Sequence, residues 1–98
     1  MTPEICRAMR QRLLIVINYQ GATRTLEPHI CGVANGGHDL LRAYQVNAGG
    51  KPGESNGWKL IKVDEILSLR VLAQGFDGPR ADYQRGDPAF SRRIYCEL

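Results

Sequence analysis

The longest unbroken apolar run in the chain is Leu13-Leu14-Ile15-Val16-Ile17. Leu13, Ile15, Ile17 and Tyr19 fall on one side of an extended chain, and Leu14, Val16 and Asn18 on the other. Both sides are apolar for most of the length, which predicts a strand over 13–19 covered on both faces. Ahead of it, Ile5, Ala8 and Met9 recur at helical spacing. Thr2-Pro3-Glu4 supplies a hydroxyl N-cap, a proline at the first helical position and an acid in the first turn, so 1–12 reads as a short helix. Arg7, Arg10 and Arg12 lie mostly on its other faces and toward its C-terminal end, where they suit the helix dipole.

Beyond a turn at Gln20-Gly21-Ala22, residues 23–33 form a second strand, interrupted or bent at Pro28 because proline cannot donate to a ladder. Ala34-Asn35-Gly36-Gly37 is the strongest turn signal, since Asn-Gly tolerates positive φ at both central positions. Residues 40–46 are the third strand. Residues 47–57 hold four glycines, a proline and a serine and read as a long loop. A fourth strand spans 58–63, a bend falls at Asp64-Glu65, and a fifth strand spans 66–72, with Leu67, Leu69 and Val71 on one face. From Gly75 onward the pattern changes. Gly75, Gly78, Pro79, Gly86 and Pro88 break it, while Phe76, Tyr83, Phe90 and Tyr95 are spaced along it. This predicts an irregular tail that lays aromatic anchors on the domain or on a partner chain. A helix and five short, mostly hairpin-connected strands predict a mainly β single domain, a small and strongly bent sheet or barrel. Its parts are a helix at 1–12, a barrel core at 13–73 and a tail at 74–98.

Composition narrows the setting. Of 98 residues 43% are hydrophobic and 23% charged, as in a folded chain, and the net charge of +3 is a mild basic excess compatible with an anionic partner. Only Lys51, Lys59 and Lys62 are lysines; the other basic residues are arginines, whose planar fork suits phosphate and carboxylate. Arginine-favouring codon usage is an equally open cause. Cys6, Cys31 and Cys96 are odd in number and none are spaced C-x-x-C, so neither a disulfide framework nor a zinc site is expected. Reduced thiols in a cytoplasm fit that usage. No charged-then-apolar leader and no apolar run near the ~18 residues of a span is present, so no membrane association is expected.

The order of these signals resembles the WYL domain, a bacterial module built on an Sm-like or SH3-like barrel. The resemblance covers 11–76 and rests on Ile17-Asn18-Tyr19, on Arg24-Thr25-Leu26-Glu27-Pro28-His29, on Leu40-Leu41-Arg42-Ala43-Tyr44 and on Lys59-Leu60-Ile61-Lys62-Val63-Asp64-Glu65-Ile66. The naming triplet falls on Asp39-Leu40-Leu41, so its tryptophan and tyrosine are absent. Family arginines become Lys59 and Lys62, its phenylalanine becomes Ile61, and a following arginine becomes Glu65. The resemblance implies a five-stranded SH3/Sm-like barrel and a ligand-sensing role toward nucleotides or nucleic-acid fragments through a basic surface. Such domains usually follow a DNA-binding helix-turn-helix, for which the single helix here gives no room. A stand-alone version would act through a partner, or by the binding itself.

The candidate ligand residues are Tyr19, Arg24, His29, Arg42, Tyr44, Lys59 and Lys62. Arg24 is in phase with Leu26 and Pro28, and either meets an anionic ligand or pairs with Glu27 or Asp39. Arg42 and Tyr44 share a face with Leu40, a pairing of charge and ring that grips single-stranded nucleic acid; cross-strand packing of Tyr44 is the alternative. Tyr19 places its ring in the core and its hydroxyl at the rim. Lys59 and Lys62 have opposite strand parity, so both reach one ligand only if the strand bulges. His29 follows Pro28 and either bonds a ligand or caps the bend. Gly49-Gly50-Lys51 lacks the full phosphate-loop pattern and reads as part of a hairpin loop. Metal and cofactor sites are not expected, since His29 and His38 have no ligand-spaced companions apart from Cys31. Catalysis is not expected either. Ser55, Ser68 and Ser91 lack a nucleophile context, Cys31 near His29 is the one nucleophile-like pairing, and Asp64 and Glu65 diverge in a strand. The sequence thus points to a non-catalytic regulatory module for a nucleotide or single-stranded nucleic acid. The alternative is an interaction module, a homodimer or an accessory subunit of a transcription regulator, anchored by Phe76, Tyr83, Phe90 and Tyr95.

Overall fold

A computed structural model describes residues 1–46 and 51–98. Gly49 and Gly50, part of the glycine-rich loop, lie outside the described residues. The chain runs α1 (Thr2–Arg10), β1 (Leu13–Tyr19), β2 (Ala22–Val33), β3 (Asp39–Gln45), β4 (Gly57–Lys62), a 3-10 turn (Val63–Glu65), β5 (Ile66–Gly75), a second 3-10 turn (Pro88–Phe90) and β6 (Arg93–Glu97). The helix starts at Thr2 with Met1 as its N-cap residue, so the Thr2 hydroxyl does not cap it, while Pro3 and Glu4 occupy its first turn as expected. Ile5, Cys6, Ala8 and Met9 form its buried face.

All strand pairs are antiparallel, in the order β4-β3-β2-β1-β5, with β6 added to β2. The architecture is mainly β, as the pattern predicts, but among the described residues the sheet has six strands and its path does not close on itself. Pro28 explains how β2 serves so many neighbours. Its first half pairs with β1 through Ala22–Leu26, and its second half, Ile30–Val33, pairs with β6. The β2–β3 ladder skips His29 between Pro28 and Ile30, where proline has no N–H to give. The β1–β2 hairpin turns on Gln20 and Gly21, both at positive φ, which matches the right-handed strand twist. The Asn35-Gly36 signal is used differently: positive φ falls on Gly37, one residue later.

The core cluster gathers Ile5, Ala8 and Met9 of α1 with Ile15, Ile17, Leu26, Leu41, Ala43 and Ile61 of the sheet, and with Val63 and Ile66 around the 3-10 turn. Residues of β4 and of β5, the two ends of the strand path, thus share one core with α1, although these two strands are not paired with each other. A second cluster, Ile30, Leu40 and Phe90, lies beneath the tail.

The tail departs most from expectation. It contains a regular strand, β6, and Asp87 caps the second 3-10 turn by accepting from the Ala89 N–H at 2.9 Å. Gly32 lets β6 approach β2 closely, since a Cβ there would lie 2.2 Å from the Arg93 carbonyl oxygen. β5 runs on to Gly75, and its register with β1 shifts between Asn18 and Tyr19. That irregularity takes Leu67 out of the alternation with Leu69 and Val71, leaving it 79% exposed. The thiol expectation is also corrected. Cys6 and Cys96 form a disulfide across 90 positions, joining α1 to β6, and Cys31 is the buried thiol left over. Spacing could not reveal this pair, because only the fold of the tail brings its members together.

Among the described residues no helix is long and apolar enough to cross a membrane. Among the described residues no three His, Cys, Asp or Glu side chains are grouped to hold a metal ion.

Candidate functional site

Strand alternation assembles the site. The inner face of the sheet is apolar along most of its length, yet three neighbouring strands place polar residues at inner-face positions toward one end. Arg24 follows the phase of Leu26 on β2, Gln45 that of Leu41 and Ala43 on β3, and Lys59 that of Ile61 on β4. The register Ile17↔Arg24, Leu26↔Gln45 and Ala43↔Lys59 sets them on a diagonal across β2, β3 and β4. Tyr19, at the end of β1, completes the group.

Arg24 is only 4% exposed. Its Nε donates to the Tyr19 carbonyl oxygen at 3.3 Å, and its Nη1 donates to Gln45 Oε1 at 3.1 Å and to the Glu54 carboxylate. The guanidinium carbon stands 5.7 Å from the centre of the Tyr19 ring. Lys59 Nζ lies 2.9 Å from Glu54 Oε2 and donates to the Ser55 carbonyl oxygen at 2.9 Å. The Lys51 backbone N–H donates to Glu54 Oε1 at 3.2 Å. One carboxylate therefore bridges two cations, and Lys59, then Arg24, then the Lys51 N–H hold its pKa down to about 2. Gln45 is fully buried, and its Nε2 has no hydrogen-bond partner among the described residues. A buried donor left unmade costs about 1–3 kcal/mol. Burying a guanidinium is costly as well, and well-packed apolar side chains would serve stability as well or better.

Of the other residues singled out in the sequence, Tyr19 turns its ring into the core, and its hydroxyl accepts the Lys62 N–H at 3.1 Å. Lys62 itself is exposed, pairs with Leu40 on the opposite face from Lys59, and lies 3.9 Å from Glu65. It stands outside the group.

Arg42, Tyr44 and His29 meet on the outer face, under the tail. Arg42 Nε donates to Asp87. The Arg80 guanidinium lies 3.8 Å from the centre of the Tyr44 ring and grips Glu27 with two hydrogen bonds of 2.9 and 3.0 Å. His29 is fully buried, with Nδ1 2.8 Å from the Glu27 carbonyl oxygen and Nε2 accepting the Arg80 N–H at 3.2 Å. These partners fix the neutral tautomer with the proton on Nδ1, and burial lowers the pKa of His29 below 6.5. Trp58, Tyr83 and Phe76 surround its ring. The four tail aromatics all pack on this chain: Phe76 on His29, Phe90 against Ile30 and Leu40, and the hydroxyls of Tyr83 and Tyr95 donating to the His29 carbonyl oxygen and to Asp39. Between Trp58, Tyr83 and the Arg42–Asp87 pair lies a groove of about 360 Å³.

The seven ligand candidates thus divide into an inner group (Tyr19, Arg24, Lys59), an outer group (His29, Arg42, Tyr44) and the separate Lys62. Sequence reasoning missed Gln45, Glu54, Trp58 and Arg80. Gln45 carried a signal, a polar residue at the core phase of β3. Glu54 and Arg80 carried none, being 30 and 53 positions from the residues they pair with. Cys31 packs in the core, and burial, with Asp39, pushes its thiol up to about 12, which removes it as a nucleophile.

The sequence matches no protein-family model, and comparisons with curated proteins and with solved structures give no significant match.

Proposed function

We propose that this chain is a non-catalytic binding module for a phosphate-bearing ligand, a nucleotide or a stretch of single-stranded nucleic acid. The observation that carries the reading is the inner group: a buried guanidinium and an ammonium converging on one anion position, beside an amide donor with no partner among the described residues. A fixed fork and a point charge aimed at the same spot suit an oxyanion, and the burial of Arg24 strengthens the hydrogen bonds it donates. Trp58, paired with Tyr44 on the opposite face of the same strands, lines the groove of about 360 Å³ and offers stacking surface at the same end of the sheet, while Arg80 covers the Tyr44 ring.

The WYL-like, regulatory character of the module belongs to the same proposal. It is supported by the strand path with a 3-10 turn before β5 and a core shared by the path's two ends, as an incompletely closed five-stranded barrel would have. The ligand class favours a cytoplasmic setting, whereas the Cys6–Cys96 bond favours an oxidising one. The redox state of that pair in cells decides between them.

The test is a fluorescence-anisotropy titration of a short labelled single strand at low and physiological salt. Lys59→Glu should abolish saturable binding, and Lys62→Glu should leave most of it. Equal binding by wild type and Lys59→Glu would remove the inner group from the function.

A second reading, self-association, draws on β5. It forms one end of the strand path and exposes Leu67 and Val71. A second copy pairing along this edge would cover both side chains in a two-fold interface. Sedimentation across a concentration series tests it: a monomer throughout ends the reading, and a dimer lost in Leu67→Glu supports it.

A further inference from the structure

The anion position between Arg24 and Lys59 is already filled, and it is filled by the chain itself. We infer that Glu54 is a built-in occupant of a tetrahedral-oxyanion site, and that an incoming phosphate group binds by displacing its carboxylate. The inference rests on the binding reading above and adds how the site is kept closed.

Three observations carry it. First, the charges match incompletely. Arg24 and Lys59 bring two positive charges and Glu54 one negative, so one positive charge is left over within the group. A phosphate dianion in place of the carboxylate would balance both. Second, the acceptors are too few. Glu54 spends Oε2 on both cations and Oε1 on the Lys51 N–H, while Gln45 Nε2, on the amide whose Oε1 holds Arg24, has no acceptor among the described residues. A phosphate group carries more oxygens than a carboxylate and can meet this extra donor. Third, the groups are mounted differently. Arg24, Gln45 and Lys59 sit on three adjacent strands, whereas Glu54 sits between β3 and β4, in a segment anchored by the Lys51–Glu54 backbone hydrogen bond and by Lys59. The cradle is built on paired strands and its occupant lies between them in the chain, so exchange of the occupant leaves the strand pairing intact. The side chain is one-fifth exposed, so solvent reaches the position from that side.

The experiment uses inorganic phosphate and pyrophosphate as probes, by calorimetric titration into wild type and Glu54→Gln, with folding checked by circular dichroism. Removing the internal competitor should raise phosphate affinity at least tenfold. A folded Glu54→Gln protein with equal or weaker affinity overturns the inference. Should that variant not fold, wild type still decides. Phosphate at saturation should speed hydrogen exchange of the Lys51 amide, because its acceptor departs; an unchanged Lys51 rate with phosphate bound overturns the inference. Oligonucleotide binding by wild type with no phosphate effect at Glu54 would end this inference and keep the binding reading. No binding of oligonucleotide, phosphate or pyrophosphate by either protein would end both.

Discussion

Replacing Cys6 and Cys96 together by alanine, or reducing their bond, should remove a large share of this domain's stability. The two residues stand 90 positions apart, so the bond closes nearly the whole chain into a loop. The chain-entropy relation for a loop of that length gives roughly 4.5 kcal/mol of denatured-state restriction. A domain of this size has about 5–15 kcal/mol in total. At about 4–8 °C per kcal/mol, the melting midpoint should fall by roughly 20 °C or more. The bond also holds β6, a five-residue strand paired with β2, against α1. Loss of the bond should therefore loosen β6 first, and with it the tail that covers His29. The assay is a pair of thermal melts, oxidised and reduced, with a non-reducing peptide map to show the Cys6–Cys96 link. Coincident melts from a sample shown to be linked would refute the reasoning, since they would mean that this closure does not restrict the unfolded chain.

Other consequences follow from single residues. His29 is held neutral, with its folded pKa below its unfolded value. The unfolded chain therefore takes up a proton first, and stability, fully present above pH 6.5, should fall as pH drops below it. Melts between pH 7 and 5 should show this fall in wild type and a shallower one in His29→Gln; equal slopes would clear His29. Glu54 adds a second acid-side loss, beginning below 4.5 and continuing toward about 2, which Glu54→Gln should remove from the same titration extended downward. Gly32→Ala should force β6 away from β2 at a cost of about 1–3 kcal/mol, read as a lower denaturation midpoint; an unchanged midpoint would show that the ladder yields freely. Cys31 should resist thiol reagents in the folded protein and react only on unfolding, one equivalent per oxidised chain; rapid labelling of the native state would contradict its burial.

The sequence was most legible where side-chain alternation was strong. Leu13–Tyr19 falls at the predicted residues because both faces are apolar, and the bend at Pro28 follows from the missing N–H. The phase of Arg24 and the opposite parity of Lys59 and Lys62 could likewise be read from a two-residue period, and the structure separates the two lysines to opposite faces. The tail was illegible for the converse reason. Arg93–Glu97 is a short segment whose strand character depends on meeting β2 at Gly32, a contact made across some sixty positions. Arg42 and Tyr44 share a face as their alternation implies, but sequence could not show that Asp87 and Arg80 would fold over them. Nor could cysteine counting show which two of three thiols a folded tail would join. The inner site was half visible: its cations and its glutamine lie at core-phase positions of strands, while the carboxylate that ties them together comes from between strands.

The central claim is that Arg24, Gln45 and Lys59 form a cradle for a phosphate group. The most direct measurement is the binding of a short labelled single strand by wild type and by Lys59→Glu at two salt concentrations. The account predicts saturable binding that weakens with salt in wild type and none in the variant. Undiminished binding by the folded variant would contradict it.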